Sequence, residues 1–241
     1  MASPIPTLSI VFENKHWLAV NKIPKLSVER SPYGEPTIES LVFDYLSQSY
    51  RNPYVGIVHR LDRVTTGLLL FAKRKSTLRK LNEQFRNRTI KKTYLAITEK
   101  APQKPSATLQ NFLAKNRTER KGIVCPTNIK GSFKSMLHYE WLGKNTFGHL
   151  LKVRPETGKF HQIRVQLAHI GCPILGDEKY GATQELSPNE IALHAWQLEL
   201  TNPTTEQPIQ LQASLPPKNW WNGFEEFFNS TSTKDNDKIT E

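Results

Sequence analysis

"GIVHRLDRVTTGLLLFAK", residues 56–73, sets one carboxylate, Asp62, between Arg60 and Arg63 and just ahead of an apolar run, Leu68 to Ala72. No charge falls between Arg63 and Lys73, so the run reads as a buried strand and the residues before it as a loop turning in at "TTG". An Asp at such an entrance is partly desolvated, which raises its pKa, while neighbouring cations lower it again and keep it ionised. A dehydrated carboxylate held by fixed cations suits a nucleophile better than a general acid. On local context alone the commoner arrangement is an ion pair, worth ~0–1 kcal/mol when exposed.

Outward from this segment, "LSIVFENKHWLAVNK" (8–22) predicts two short strands around a polar turn. In "PTIESLVFDYLSQSY", Ile38, Leu41, Val42, Tyr45 and Leu46 mark a helix with one buried face, and Thr37 stands at its N-cap position. "STLRKLNEQFRNR" predicts a second helix, with Leu78, Leu81 and Phe85 inward. "TIKKTYLAIT" predicts a strand. Residues 101–135, rich in Pro, Lys and Arg, read as loops and weak strands. "HLLKVRPETGKFHQIRVQLAHIGCP" predicts a strand, a tight turn and a helix buried along Ile163, Leu167 and Ile170, stopped by Gly171 and Pro173. "LELTNP" and "PIQLQASLP" pair as a hairpin. The polar, aperiodic tail 229–241 is expected to be disordered. Together these elements predict an α+β fold, a mixed and largely antiparallel sheet flanked by helices and loops.

The 241 residues carry 33 Lys+Arg against 22 Asp+Glu, a formal net charge of +11 that points to a polyanionic partner. Two cysteines without C-x-x-C spacing argue against a disulfide scaffold or zinc ribbon and fit a reducing cytosol. No apolar run approaches the ~20 residues of a membrane span, and the first residues lack signal-peptide regions. A cytoplasmic protein is expected.

Two further constellations carry charge. In "TGKFHQIR", His161 and Arg164 share a helix face, and Lys159 with Arg164 makes that helix start an anion site. Arg164 could equally pin Asp62 through a bidentate bond, and the commoner role for His161 is a packed, hydrogen-bonded one. Arg86, Arg88, Lys91 and Lys92 form a basic stripe from helix into strand. With Lys115, Arg117, Arg120, Lys121, Lys130 and Lys134, they cluster as a polyphosphate binder requires. Tyr94, by default a core residue, could also be a platform for a base. A metal site from His59, Asp62, His161 and Asp177 lacks any recognised ligand spacing.

Taken together, these segments resemble RluA-type pseudouridine synthases. The family's H-R-L-D, T-[ST]-G and apolar run ending in A-K stand as "HRLDRVTTGLLLFAK", and its HQ-[IL]-R, G-x-P-I-x-G-D and Y-G stand within "TGKFHQIRVQLAHIGCPILGDEKYG". Asn21–Lys22, "KTYLAI" (92–97) and "LHAWQLEL" (193–200) fall where the family has similar segments, so the likeness covers about residues 8–215. It implies isomerisation of uridine to pseudouridine in tRNA or rRNA, within a pseudouridine-synthase fold with a central active-site cleft. The N1–C1′ bond breaks, the base turns, and C5 joins C1′. No atom enters or leaves, so no cofactor and no metal is implied. By the resemblance Asp62 is the catalytic carboxylate, Arg164 its partner, and Tyr94 the aromatic that stacks on the target base and takes part in proton transfer. Arg60 is the arginine that enters the space left by a flipped nucleotide, a flip that costs a few kcal/mol. Arg63, Arg86, Arg88, Lys91, Lys92, Lys159 and His161 complete the expected RNA-binding set.

The chain departs from the family at "NKIPKLSVERS", where Pro usually follows the Lys directly. It departs again at Thr66, where Ser is usual, and at "TGKF" in place of T-G-R-T. The expected organisation is one catalytic domain, 1–228, with no separate N-terminal RNA-binding domain, acting as a monomer without an obligate protein partner or membrane. Two rivals stay open: a non-catalytic RNA-binding or chaperone protein of the same fold, and a metal-dependent RNA hydrolase.

Overall fold

Leu68–Ala72 is the inner part of a strand, β4, running Thr66–Ala72 with every residue buried. A computed structural model, which describes residues 7–30, 35–224 and 227, shows why no polar residue interrupts it. Leu68, Leu70 and Ala72 pack into one apolar layer with Trp17, Ala19 and Leu81. Leu69 and Phe71 pack into another with Leu18, Val20 and Leu41. A strand covered on both faces gains nothing from polar alternation, and each large apolar side chain so buried stabilises by roughly 1.5–3 kcal/mol.

The predicted entry hairpin is β1 (Ser9–Glu13) and β2 (Trp17–Lys22), with β2 pairing antiparallel to β4. Asn14 closes its turn by accepting from the backbone N–H groups of His16 and Trp17. The first predicted helix is α1 (Ile38–Ser47), and Thr37 forms a full capping box with Ser40. A two-residue strand, β3 (Gly56–Ile57), pairs with β4 inside the segment expected to be wholly loop. The second helix, α2 (Lys75–Arg86), leads to β5 (Lys91–Thr98).

Residues 101–135 correct the expectation of loops and weak strands. They form β6 (Ser106–Asn116), β7 (Lys121–Cys125) and the start of β8 (Phe133–Lys144), which pair antiparallel at one end of the sheet. Burial along β6 alternates only weakly because much of its surface faces solvent, so its Lys, Asn and Gln hid the period.

After β9 (His149–Pro155) comes α3 (Gln162–His169). A single buried stripe was expected on this helix. Gln162 through Leu167 are all buried, because α3 packs against β6, β7 and the turn Glu178–Tyr180 as well as the main core. Ile170 packs against the core at the helix end, and Gly171 takes the left-handed conformation of a C-terminal stop. The final hairpin is β10 (Leu193–Thr201) with β11 (Pro208–Gln212). The expected disordered tail, 229–241, lies outside the described residues.

The strands form one mixed sheet in the order β1-β2-β4-β10-β5-β9-β8-β6-β7, with β11 on β10 and β3 on β4. All its pairings are antiparallel except β4 with β10. At that parallel contact Gly67 has φ +107°, and a Cβ there would lie 2.2 Å from the Ala195 carbonyl oxygen. The glycine of "TTG" is therefore required by close backbone approach.

Candidate active site

Asp62 sits in the loop between β3 and β4, and that loop is fastened from beneath. Lys22, at the end of β2 and only 1% exposed, donates from Nζ to the carbonyl oxygens of Thr65 (2.8 Å), Arg63 (3.0 Å) and Ile23 (3.0 Å). Three carbonyl acceptors match the three protons of an ammonium. Burial pulls the Lys22 pKa down to about 7, with the Asp62 charge acting upward. Arg63 ties the same loop on its outside, Nε donating to the Lys25 carbonyl at 2.8 Å.

The carboxylate meets α3. Arg164 Nη1 donates to Asp62 Oδ2 at 3.3 Å, but the bidentate bond expected for this pair goes elsewhere. Arg164 Nε and Nη2 hold Asp177 Oδ2 and Oδ1 at 2.7 and 2.8 Å, both partners being buried. Asp177 is 13 residues along and faces the fork squarely, whereas Asp62 meets a single nitrogen. Burial opposes the Arg164 charge, and the Asp177 hydrogen bonds and charge more than offset it, raising its pKa. Asp62 itself, 27% exposed at its side chain, is pushed up by burial. The charge and hydrogen bond of Arg164 and the charge of Lys22 pull it back only in part.

His161 reaches the same carboxylate, with Nε2 3.9 Å from Asp62 Oδ2. The Tyr180 hydroxyl accepts from the Gly122 N–H at 2.7 Å, which leaves its own proton for His161 Nδ1 at 2.8 Å. The imidazole proton then sits on Nε2, facing Asp62. Burial, then Arg164 and Lys179, lower the His161 pKa to about 3, so the ring is neutral. His161 has φ +53°, a left-handed conformation that a non-glycine residue adopts at a cost, and its ring stacks on Phe160 at 3.8 Å.

Asp62, Arg164 and His161 line a cavity of about 580 Å³. Asp62, Tyr94, Arg164, Arg60, Lys92, Lys159 and His161 of the predicted set all border it. Tyr94 comes from β5, and burial with the Asp62 charge raises its pKa, holding the phenol protonated. Arg88 and Lys91 border a neighbouring cavity instead; Lys91 also pairs with Glu199 at 3.4 Å. Arg60 is exposed and pairs with Glu29 at 3.1 Å. Neither Arg63 nor Arg86 borders either cavity. So the two arginines that flank Asp62 in sequence are not its partners in space.

Sequence reasoning missed Asp177 as the Arg164 partner, Tyr180 as the His161 orienter and Phe160 on the cavity wall, where Lys115 of the expected basic cluster also lies. "GDEKYG" was the available signal for the first two. His59 also borders the cavity and is held in place there: its Nε2 accepts from the Leu70 N–H at 3.2 Å, its ring stacks on Phe85, and burial lowers its pKa to about 3.

A carboxylate anchored by a buried arginine, with a tyrosine and a rim of cations around one cavity, suits acid–base chemistry on a polyanion. Residues 16–169 match the family described as RNA pseudouridylate synthase. The chain belongs to that family, in its RluA-type branch, and so is an isomerase acting on RNA. An uncharacterized RNA pseudouridine synthase of Zymomonas mobilis is 34% identical over 214 residues, 88% of this chain and 96% of that one. Ribosomal large subunit pseudouridine synthase C of Rickettsia prowazekii is 33% identical over 221 residues, 90% of this chain and 71% of that one. Among solved structures, human RNA pseudouridylate synthase domain containing 4 superposes with a TM-score of 0.72 at 26% identity, covering 87% of this chain and 89% of that one. No helix of the described residues is long and apolar enough to cross a membrane.

Proposed function

We propose that this protein converts uridine to pseudouridine at one or a few positions of tRNA or rRNA in the cytoplasm, acting as a monomer. The target nucleotide swings out of its strand so that its glycosidic bond meets Asp62, since an enzyme reaching a base inside a helix must extrude it. Asp62 is the catalytic carboxylate, Tyr94 packs on the uracil ring, and Arg164 keeps the carboxylate aimed. Arg60, on the rim, occupies the gap the nucleotide leaves. Lys92 and Lys159 face the phosphates. The observation that carries this reading is the single Asp62–Arg164 bond at the wall of a cavity of about 580 Å³ that Tyr94 also lines. The isomerisation leaves the composition unchanged: as N1–C1′ breaks and C5–C1′ forms, C5 loses a proton and N1 gains one, and Asp62 and Tyr94 are the acid–base groups at hand.

The experiment is incubation of the purified protein with unmodified tRNA and rRNA in chelator, followed by mapping of pseudouridine. Conversion by the unaltered protein, lost in Asp62→Ala with RNA binding retained, is the expected result. Binding without conversion by either protein would favour the chaperone reading, and shortened RNA dependent on divalent ions the hydrolase.

A further inference from the structure

A second cavity of about 850 Å³ adjoins the Asp62 cleft, and Phe85, Lys92, Pro155, Thr157, Gly158 and Lys159 wall both. The turn after β9 is thus a partition with a cavity on each side. It is held rigidly: Gln162 Oε1 accepts from the Lys159 N–H at 3.1 Å and from the Thr157 hydroxyl at 2.7 Å. At Gly158 the partition carries no side chain, and a Cβ there would lie 3.7 Å from Lys92 Nζ. The two cavities therefore meet beside the Lys92 ammonium, while that of Lys159 lies 4.4 Å over the Phe133 ring.

Beyond the neck the second cavity is bordered by Arg88, Lys91, Arg154 and His138, with Ile90 adding apolar surface. Glu156 and Glu199 border it too, so its charge is compensated in part. Lys91 is paired with Glu199, but among the described residues Arg88, Lys92, Arg154 and Lys159 have no carboxylate at ion-pair distance. Burial lowers the Lys92 pKa, and the nearby Arg88 charge lowers it further. Arg88 also takes φ +58° just after α2, a helix-end position that favours glycine. Five cations against two carboxylates leave the lining net positive, which favours an anionic ligand.

We propose that the second cavity is a nucleotide subsite. It takes the RNA nucleotide adjacent to the target uridine, with the phosphate that joins them at the neck beside Lys92 and the neighbouring base against the lining that His138, Ile90 and Phe85 supply. This rests on the proposed function, in that the first cavity must hold the uridine. A polynucleotide fits better than another polyanion because the cations alternate with ring and apolar surfaces, as stacked bases and phosphates alternate along a strand.

The test compares uridine 5′-monophosphate with the dinucleotide UpU as ligands of the full chain, by competition against a labelled oligouridylate. Arg154 borders the second cavity alone and is exposed on β9, so Arg154→Gln is expected to fold normally. UpU should bind the unaltered protein at least about tenfold more tightly than the monophosphate, the scale of a charge-assisted hydrogen bond or two. Arg154→Gln should cut that advantage to below about threefold while leaving the monophosphate affinity unaltered. UpU binding no tighter than the monophosphate, or an advantage that survives in both Arg154→Gln and the steric plug His138→Trp, would overturn the subsite. Pseudouridine formation by the unaltered protein is measured separately, so a failed subsite and a failed enzyme reading are told apart.

Discussion

Lys22 and Asp62 form one electrostatic unit without touching: the ammonium lies under the loop, bonded to the carbonyls of Arg63 and Thr65, and its charge lowers the Asp62 pKa. Asp62 in turn raises that of Lys22. The Asp62 loop is thereby fixed by a buried cation whose cost the carboxylate partly offsets.

That arrangement predicts a pH signature. The folded pKa of Lys22, about 7, lies below its ordinary 10.5, so between those values the folded state binds fewer protons than the unfolded one. The contribution of Lys22 to stability therefore increases as pH rises through this window, by up to about 1.4 kcal/mol per unit. Urea midpoints of the unaltered protein and Lys22→Met at pH 7 and pH 9 should diverge in favour of the unaltered protein at the higher pH. Parallel pH profiles would show that Lys22 is not perturbed.

Asp62 behaves with the opposite sign. Its folded pKa is raised above 3.8, so the folded state binds more protons in the window just above that value, and stability falls as pH rises through it. At neutral pH the ionised carboxylate is a burden on the fold. Asp62→Asn should therefore melt at a higher temperature than the unaltered protein at pH 7, with the difference closing below about pH 4. Its conversion of uridine should fall by about 10³-fold or more. A destabilised Asp62→Asn at neutral pH would contradict the sign, whatever its activity.

Asp177 carries a third prediction. It is 1% exposed and takes both arms of the Arg164 fork, so Asp177→Ala leaves a buried guanidinium with only the single bond to Asp62. Losing one partner of a buried pair costs about 3–5 kcal/mol. Chemical denaturation should show a loss of that order, and a smaller one for Asp177→Asn, which keeps an acceptor. A loss below about 1 kcal/mol would mean that Asp62 can take over the fork.

Much of this was legible in the sequence, for identifiable reasons. The apolar run at 68–72 announced itself because both its faces are buried, and α1 because Thr37 caps a helix with one-sided burial. The meeting of Asp62 with Arg164, 102 positions apart, was one option that complementary chemistry offered, and the family resemblance implied it. What sequence could not rank was the competition for the guanidinium. Asp62 and Asp177 are equivalent acids on paper, and only the fold decides which one faces the fork. The strands β6 to β8 were hidden for a different reason, since an exposed sheet end can carry polar residues on both faces. Of the cations beside Asp62 in sequence, Arg60 turns to Glu29 and Arg63 to a backbone carbonyl, which leaves the distant Arg164 as its partner.

The last prediction concerns salt. A cation already paired with a carboxylate does not neutralise a phosphate without first breaking that pair, so it releases fewer counterions on binding RNA. Lys159 and Arg88 face the cavities without a carboxylate partner among the described residues, whereas Lys91 holds Glu199 at 3.4 Å and Arg60 holds Glu29 at 3.1 Å. Binding of a transcribed tRNA or rRNA fragment should weaken steeply with salt, with a log–log slope of several units. Lys159→Ala and Arg88→Ala should each reduce the magnitude of that slope by about 1, and Lys91→Ala by clearly less. Fluorescence anisotropy titrations across a range of KCl concentrations measure this directly. Equal slope changes at all three positions would show that the ion pairs on the surface do not survive RNA binding, and no change at Lys159 or Arg88 would place the RNA path elsewhere.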